Sequence, residues 1–557
     1  MIGIFLSCII VSFTLIVYGK ILLNFFQKSK FYSNENFSEY GLFGIIFLSF
    51  ISLFSNFFFS ISIFFNNLIL IGAFIYGYYY INFNKNFFYT IILSALLSTL
   101  LITLNNINRP DAGLYHLPYI SILNNEKIII GLSNLHSRFG HTSIIQYTSS
   151  VFNNSLLKDN GVAIPLAFCI VYFLIYLKDK LFFLLKKKAD LTQIYFLFLI
   201  LIFSFYSFSN YSEYGNDAPA FVFFFLTTII YLINNNSENN LTHNDQKIII
   251  SAIFAIFNKI FFLLIFLIPL FIILTKYKNI LKKKLFFIFI FIFITIWFVK
   301  NILISSCLIY PIKITCFKNT LWYNELETTN SQISSEAWAK AWIDQEKPII
   351  EMEEFKENFL WLETWKKKHL QKINEKFTPF VIFNIIFIFF IFLKKKKGIH
   401  LHKSKLNLKK IIIILSINII GILFWFLKFP IYRYGAAYLA CFISALSVII
   451  LYLSFDKINL NKNIIKVTVF LAIFLFASVN LKRIVKNFNN SYNQYPWPKI
   501  YSLSFDNIPK EKISIKNNQQ IIYYKSKSEC MYSALTPCTH EEKKIQYKDF
   551  FKYKIFL

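Results

Sequence analysis

The sequence predicts an all-α polytopic membrane protein, a bundle of about 12 to 14 transmembrane helices with interfacial helices and a small extracytoplasmic C-terminal α+β appendage. Three observations carry that expectation. The 557 residues are 56% hydrophobic and 20% aromatic but only 16% charged, far more apolar than a soluble domain. Apolar runs such as Leu285 to Ile304 and Ile411 to Leu427 recur, each near the roughly 20 residues that cross a bilayer core. Lysines gather in short clusters between those runs. That clustering also argues against nucleic acid as the reason for the formal charge of +29.

The elements alternate across the membrane when the lysine clusters are placed inside. Ile2 to Tyr18 has neither a basic stretch before it nor a small-residue cleavage site after it, and reads as a retained helix with its N-terminus outside. Gly41 to Phe59, Ile69 to Phe83 and Asn86 to Leu104 follow, putting Lys28, Lys30 and Lys85 inside. A first outer loop spans residues 105–160, and Val162 to Tyr176 returns to Lys178, Lys180 and Lys186 to Lys188. Leu191 to Phe208 exits at Ser209 to Asp217, and Ala218 to Ile233 re-enters.

Ile248 to Leu274 breaks the pattern, because a single helix there would export Lys276, Lys278 and Lys282 to Lys284. Two half-length helices broken near Asn258-Lys259 would restore it, provided neighbours shelter the freed backbone groups. A single tilted helix with a snorkelling Lys259 is the other reading. Leu285 to Ile304 then exits, residues 305–378 form a second large outer segment, and Pro379 to Leu393, Ile411 to Leu427, Ala436 to Leu453 and Ile464 to Asn480 complete a membrane domain over residues 1–480. The tail, residues 481–557, falls outside, with Lys482 and Arg483 counting against that side and strand-like stretches such as Gln520 to Tyr524 within it.

Of seven cysteines, Cys8, Cys169 and Cys441 fall in apolar runs and read as core residues. Cys307 with Cys316, and Cys530 with Cys538, are close in sequence within outer segments and are expected to form disulfides.

Ionisable side chains concentrate in the first outer loop. Asp111 and His116 stand in Arg109-Pro110-Asp111-Ala112-Gly113-Leu114-Tyr115-His116, and His136, Arg138 and His141 in Gly131 to His141. The stretches flanking the second group, Gly113 to Leu123 and Thr142 to Phe152, have helical periodicity and are expected to lie along the membrane surface. A solvated polar loop is the plain alternative, but such density beside a bilayer suits a phosphate-bearing partner. Metal ligation is not expected, because no tight His-x-x-x-His pair occurs. In the second outer loop Asp217 is placed to cap the following helix, while Tyr211, Glu213 and Asn216 are not explained by capping. Arg433, in Phe429-Pro430-Ile431-Tyr432-Arg433-Tyr434-Gly435, offers a planar fork suited to phosphate, or equally a headgroup anchor.

Assembled, these features resemble the multi-span glycosyltransferases of the GT-C fold, which include protein O-mannosyltransferases and lipid A aminoarabinose transferases. The resemblance rests on Asp111 just after a helix, two surface helices in its loop, a second outer carboxylate at Glu213 or Asp217, and the broken segment holding Lys259. More narrowly, Asp111 to His116, Asn134 to Gly140, Tyr310-Pro311 and Arg433-Tyr434-Gly435 look like an uncharacterised bacterial membrane-protein family of this class, and Pro537-Cys538-Thr539 is similar to a tail motif of related members. The resemblance implies an enzyme of the bacterial inner membrane that moves a sugar from a polyprenyl-phosphate donor to an envelope glycan, lipid or protein, with inversion. By that carry-over Asp111 is the base, with Asp217 and Glu213 as accompanying carboxylates. Arg138, Lys259 and Arg433 are phosphate contacts, and Tyr115, His116, Asn134, His136, Tyr310 and Tyr434 complete the substrate-binding set. No cofactor is implied. Some members have paired acids where this chain has Asp111 alone, which weakens a metal-dependent variant and leaves assistance by a divalent ion open. A lipid-linked oligosaccharide flippase or polymerase is the competing class, since it too needs cations in a membrane cavity.

Overall fold

The computed structural model describes residues 1–26, 36–105, 111–209, 214–234, 241–276, 283–346, 349–393, 399–400, 404–454, 459–460, 462–489, 496–498, 510–514, 521–526, 530, 532, 536–540 and 545–557. Within them the chain is an all-α polytopic membrane protein: eleven helices are long and apolar enough to span a bilayer. The first four are α1 (Ile2–Phe25), α2 (Phe37–Asn56), α3 (Ile63–Tyr80) and α4 (Lys85–Ile102). The first outer loop then folds as α5 (Leu117–Asn125), α6 (Leu132–Leu135) and α7 (Ile145–Val151). Next come α8 (Ile164–Lys186), α9 (Leu191–Phe208), α10 (Asp217–Ile233), α11 (His243–Asn258), α12 (Leu267–Thr275) and α13 (Lys284–Ser305). The second outer segment holds α14 (Glu325–Ala339), α15 (Met352–Lys356) and α16 (Leu362–Trp365) before α17 (Gln371–Leu393), α18 (Lys405–Lys428), α19 (Tyr432–Ser454) and α20 (Lys462–Phe488).

Between apolar helices in lipid, association depends on close packing and hydroxyl contacts rather than on water exclusion. At Gly19 a Cβ would stand 1.7 Å from the Tyr40 carbonyl oxygen, so α1 and α2 touch backbone to backbone there. Ser12 then links α1 to Ser94 of α4 at 2.9 Å and to Tyr172 of α8 at 2.7 Å.

Ion pairs close the lysine-bearing end of the bundle. Lys247 lies 2.8 Å from Glu39, and Lys276 lies 2.7 Å from Asp245. The second pair decides the course of the irregular segment. Asp245 opens α11 and Lys276 follows α12, so both far ends of the segment meet and the chain turns back on itself. The break falls at Lys259, whose φ and ψ of −154° and 108° are extended, before a 3₁₀ stretch over Ile260–Phe266. The single tilted helix is thereby excluded.

Three expectations need correction. The two loop helices do not lie on a surface: every residue of α7 and all of α5 from Leu117 to Asn124 are buried. Their polar faces bond to protein instead of water, as where Thr148 meets the Ser49 hydroxyl and the Ile45 carbonyl of α2. α17 starts at Gln371 and carries Pro379 within it rather than starting there. α20 runs past residue 480 to Phe488, and Arg483 donates to the carbonyls of Thr103 at 2.7 Å and Leu100 at 2.6 Å. It therefore serves the negative end of α4, which explains a cation on the face away from the lysine clusters.

β1 (Ile399–His400) and β2 (Asn459–Leu460) make a small antiparallel pair. In the tail, β3 (Lys510–Ser514), β4 (Ile521–Ser526) and β5 (Cys538–Thr539) form one sheet, and β6 (Tyr547–Phe550) pairs with β7 (Tyr553–Phe556). Beyond α20 the described residues of the tail are strands and turns. The tail is also fastened to the first outer loop: Phe556 N–H donates to the Ile130 carbonyl at 2.9 Å, and Asn153 Nδ2 donates to the Tyr532 hydroxyl at 2.8 Å.

Candidate functional site

Asp111 begins the helical turn that leads to α5. Across Ala112–His116 the turn is widened, with Leu117 N–H bonding the Ala112 carbonyl five residues back. From this position Asp111 Oδ2 receives Arg433 Nη1 at 3.3 Å, both side chains being nearly half exposed. Arg433 stands in the first turn of α19, where Tyr434 follows it and lies 5.5 Å from its guanidinium carbon, ring centre to atom. On that same ring Lys259 Nζ sits 3.8 Å from the centre. Lys259 in turn pairs with Asp217, in the first turn of α10. Two cations thus share one tyrosine ring and each is paired to its own carboxylate, the four charges being drawn from the first outer loop, α10, the break after α11, and α19.

Asp217 corrects the capping expectation. Asn216 occupies the N-cap without a side-chain bond, and Asp217, one residue inside, gives its carboxylate to Lys259. Asn216 instead donates to the Asn258 carbonyl at 2.9 Å, which pins the second outer loop to the break. Asn258 Oδ1 accepts from Ser143 Oγ at 2.9 Å and from Ile145 N–H at 3.2 Å, so it satisfies donors at the start of α7. The break's freed backbone and the loop helix's free end therefore stabilise each other.

His116 lies beneath the charges and is buried. Gln146 Oε1 accepts from Ser143 N–H at 2.8 Å, which leaves its Nε2 to donate to His116 Nδ1 at 3.2 Å. Burial first, and then the cations Arg433, Lys259 and Arg138 against the opposing pull of Asp111, hold the imidazole neutral with its pKa pushed down to about 3. Burial and the Asp111 carboxylate raise the Tyr115 phenol well above its ordinary value. Arg138 contributes to the electrostatics of both residues and makes no ion pair among the described residues.

The remaining expected residues sit apart from these charges or hold the frame around them. Asn134 donates to the carbonyls of Trp322 and Phe556, each at 3.1 Å, and so ties loop to tail. His136 accepts from Arg138 N–H at 3.0 Å through Nδ1 and packs 4.9 Å from His540. Tyr310 stacks edge-on against His141 at 5.3 Å, carried by a turn that the Cys307–Cys316 bond closes. Cys530 is bonded to Cys538, and Cys8, Cys169 and Cys441 are free and buried. Glu213, with Arg109, Pro110 and Tyr211, lies outside the described residues.

Sequence reasoning missed Gln146 and gave no role to Asn258. At Asn258 the signal was an Asn-Lys pair interrupting an apolar run, whereas Gln146 stands among Ser143, Tyr147, Thr148 and Ser149 and nothing in the sequence marks it out. Sequence reasoning also gave no role to Lys300, which is fully buried on α13, donates to Thr142 Oγ1 at 2.7 Å and lies 3.6 Å from the Trp297 ring centre. Among the described residues no group of three or more His, Cys, Asp or Glu side chains is arranged to hold a metal ion.

No curated protein and no solved structure matches the chain. A family described as a domain of unknown function, DUF8201, matches residues 1–440. That span contains Asp111, Asp217, Lys259, Arg433 and Tyr434, and leaves the β tail outside it. Because the match covers most of the chain, the protein belongs to the DUF8201 family.

Proposed function

We propose that the chain is a membrane glycosyltransferase that moves a sugar from a polyprenyl-phosphate donor to an acceptor on the outer face. The observation that supports this reading is that Arg433 and Lys259 meet at the Tyr434 ring, each paired to a carboxylate, Asp111 and Asp217. A transferase of this kind needs cations for a leaving phosphate, a carboxylate for the acceptor proton, and access from both lipid and water. Asp111 is nearly half exposed, and its carboxylate is paired with Arg433. In this reading the donor phosphate takes Arg433, with Arg138 and Lys259 as further contacts, and Asp111 is released. The acceptor hydroxyl oxygen then forms a bond to the anomeric carbon as the bond from that carbon to the phosphate oxygen breaks. The hydroxyl proton passes to Asp111, the bonding pair leaves with the polyprenyl phosphate, and the anomeric configuration inverts.

The test uses the full chain in lipid nanodiscs with a panel of polyprenyl-phosphate hexoses and pentoses and an extract of envelope acceptors. Acceptor-dependent release of polyprenyl phosphate, lost in Asp111→Asn, supports the proposal. Donors left intact by the wild-type protein overturn it. Vectorial movement of a lipid-linked glycan in proteoliposomes with no new glycosidic bond establishes a flippase instead.

A further inference from the structure

The turn between β6 and β7 presents two large apolar side chains to the outside. Phe550 and Phe551 are 60% and 81% exposed, and their rings stand 4.6 Å apart. Paired exposed phenylalanines at a hairpin tip are costly against water and mark a contact surface. The tip's position says what that surface meets. Tyr553, paired with Phe550 across the turn, donates its hydroxyl to the Phe57 carbonyl at 2.7 Å. Phe57 is the residue after α2, so the tip stands where a membrane-spanning helix ends. Beside it in sequence Phe58 and Phe59 are also exposed, and α3 re-enters with Ile63 and Phe64 exposed. Lys127 secures the arrangement from the first outer loop, with Nζ 3.5 Å from the Tyr553 ring centre and 3.3 Å from the Phe551 carbonyl oxygen. Lys548 and Lys552 bracket the phenylalanines and are exposed, while Asp549, between Lys548 and Phe550, accepts from the Tyr547 hydroxyl at 2.6 Å.

Aromatic rings flanked by lysines, at the level where spans end, have the chemistry of the boundary between acyl chains and headgroups. We propose that the β6–β7 hairpin is a lipid anchor: Phe550 and Phe551 enter that boundary beside Phe58 and Phe59, and Lys548 and Lys552 meet lipid phosphates. Because β7 is hydrogen-bonded to Ile130, the anchor holds the first outer loop at the membrane.

The test is made on the full chain in nanodiscs of phosphatidylethanolamine and phosphatidylglycerol. A nitroxide on Phe551→Cys should collide with oxygen more often than with a water-soluble nickel chelate, by roughly threefold or more. A chelate rate above the oxygen rate overturns the proposal. Hydroxyl-radical footprinting of the unsubstituted protein guards against a disturbed variant. Oxidation of Phe550 and Phe551 as slow as that of Phe58 and Phe59 supports the anchor, and oxidation several times faster overturns it. Protection that appears only as protein concentration rises identifies a second copy as the occupant and overturns the lipid assignment.

Discussion

Arg433 and Asp111, 322 residues apart in the chain, meet at 3.3 Å in a contact that remains nearly half exposed. An ion pair so open to solvent contributes at most about 1 kcal/mol to stability. Its replacement is therefore expected to separate function from folding. Asp111→Asn should leave the melting temperature in nanodiscs nearly unchanged while lowering transfer from a polyprenyl-phosphate sugar by about 10² to 10⁴-fold, the range of a lost general base. Undiminished transfer by the stably inserted variant would remove Asp111 from the reaction.

The pair between Lys259 and Asp217 is more enclosed, at 11% and 20% side-chain exposure. Removing one partner strands the other in a sparsely hydrated place, and should cost on the order of 3 kcal/mol. Lys259→Met combined with Asp217→Asn should cost clearly less than the two single changes together. A double-mutant cycle on chemical denaturation in mixed micelles measures that coupling, and simple additivity would contradict the pair.

His116 gives a prediction with a definite sign. Its pKa is pushed from 6.5 down to about 3 in the folded chain, so on unfolding it takes up a proton at any pH between those values. Its contribution to stability is complete above about pH 6.5 and is lost as pH falls toward 3, at up to about 1.4 kcal/mol per pH unit. Melting curves of the wild type and His116→Gln between pH 7 and pH 4 should converge as pH falls. Parallel curves would show that the imidazole is protonated in the fold.

Asn258 accepts hydrogen bonds from Ser143 Oγ and from Ile145 N–H at the start of α7. Asn258→Ala leaves both donors buried and unanswered, at a cost of about 2 kcal/mol. The variant should show faster amide exchange over Ser143 to Gln146 than the wild type, with α2 unaffected. Unchanged exchange there would mean that the break and the loop helix are independent.

Thiol counting addresses the cysteines. Denatured protein should accept label at three positions, Cys8, Cys169 and Cys441, until a reductant makes all seven reactive. Four or more labelled positions before reduction would leave at least one of the two bonds unformed.

The membrane architecture was legible because apolar length and lysine position act locally along the chain. The Asn258-Lys259 break could be located for the same reason, as a polar pair that an apolar run does not otherwise tolerate. Burial of α5 and α7 was not legible, because Thr148 and Asn124 look equally suited to water and to the carbonyls they bond, which belong to distant helices and turns. Nor could sequence choose between capping and pairing for Asp217, since its partner comes from another element 42 residues away. Arg433 had two readings of equal merit, and only the packing of α19 against the first outer loop brings it to Asp111. Gln146 was hidden by its neighbours, as its role depends on His116 thirty residues earlier.

The turned-back course of α11 and α12 also settles a question of parity. Among the described residues the eleven helices long enough to span and the shorter apolar α10 make an even set of candidate crossings, and a doubled-back segment adds none. An even set returns the end of α20 to the end of the bundle from which α1 departs. Had the segment crossed once, the tail would emerge opposite the first outer loop, and Phe556 could not bond Ile130. A hydrogen bond at one extremity of the chain thus counts the crossings in its middle.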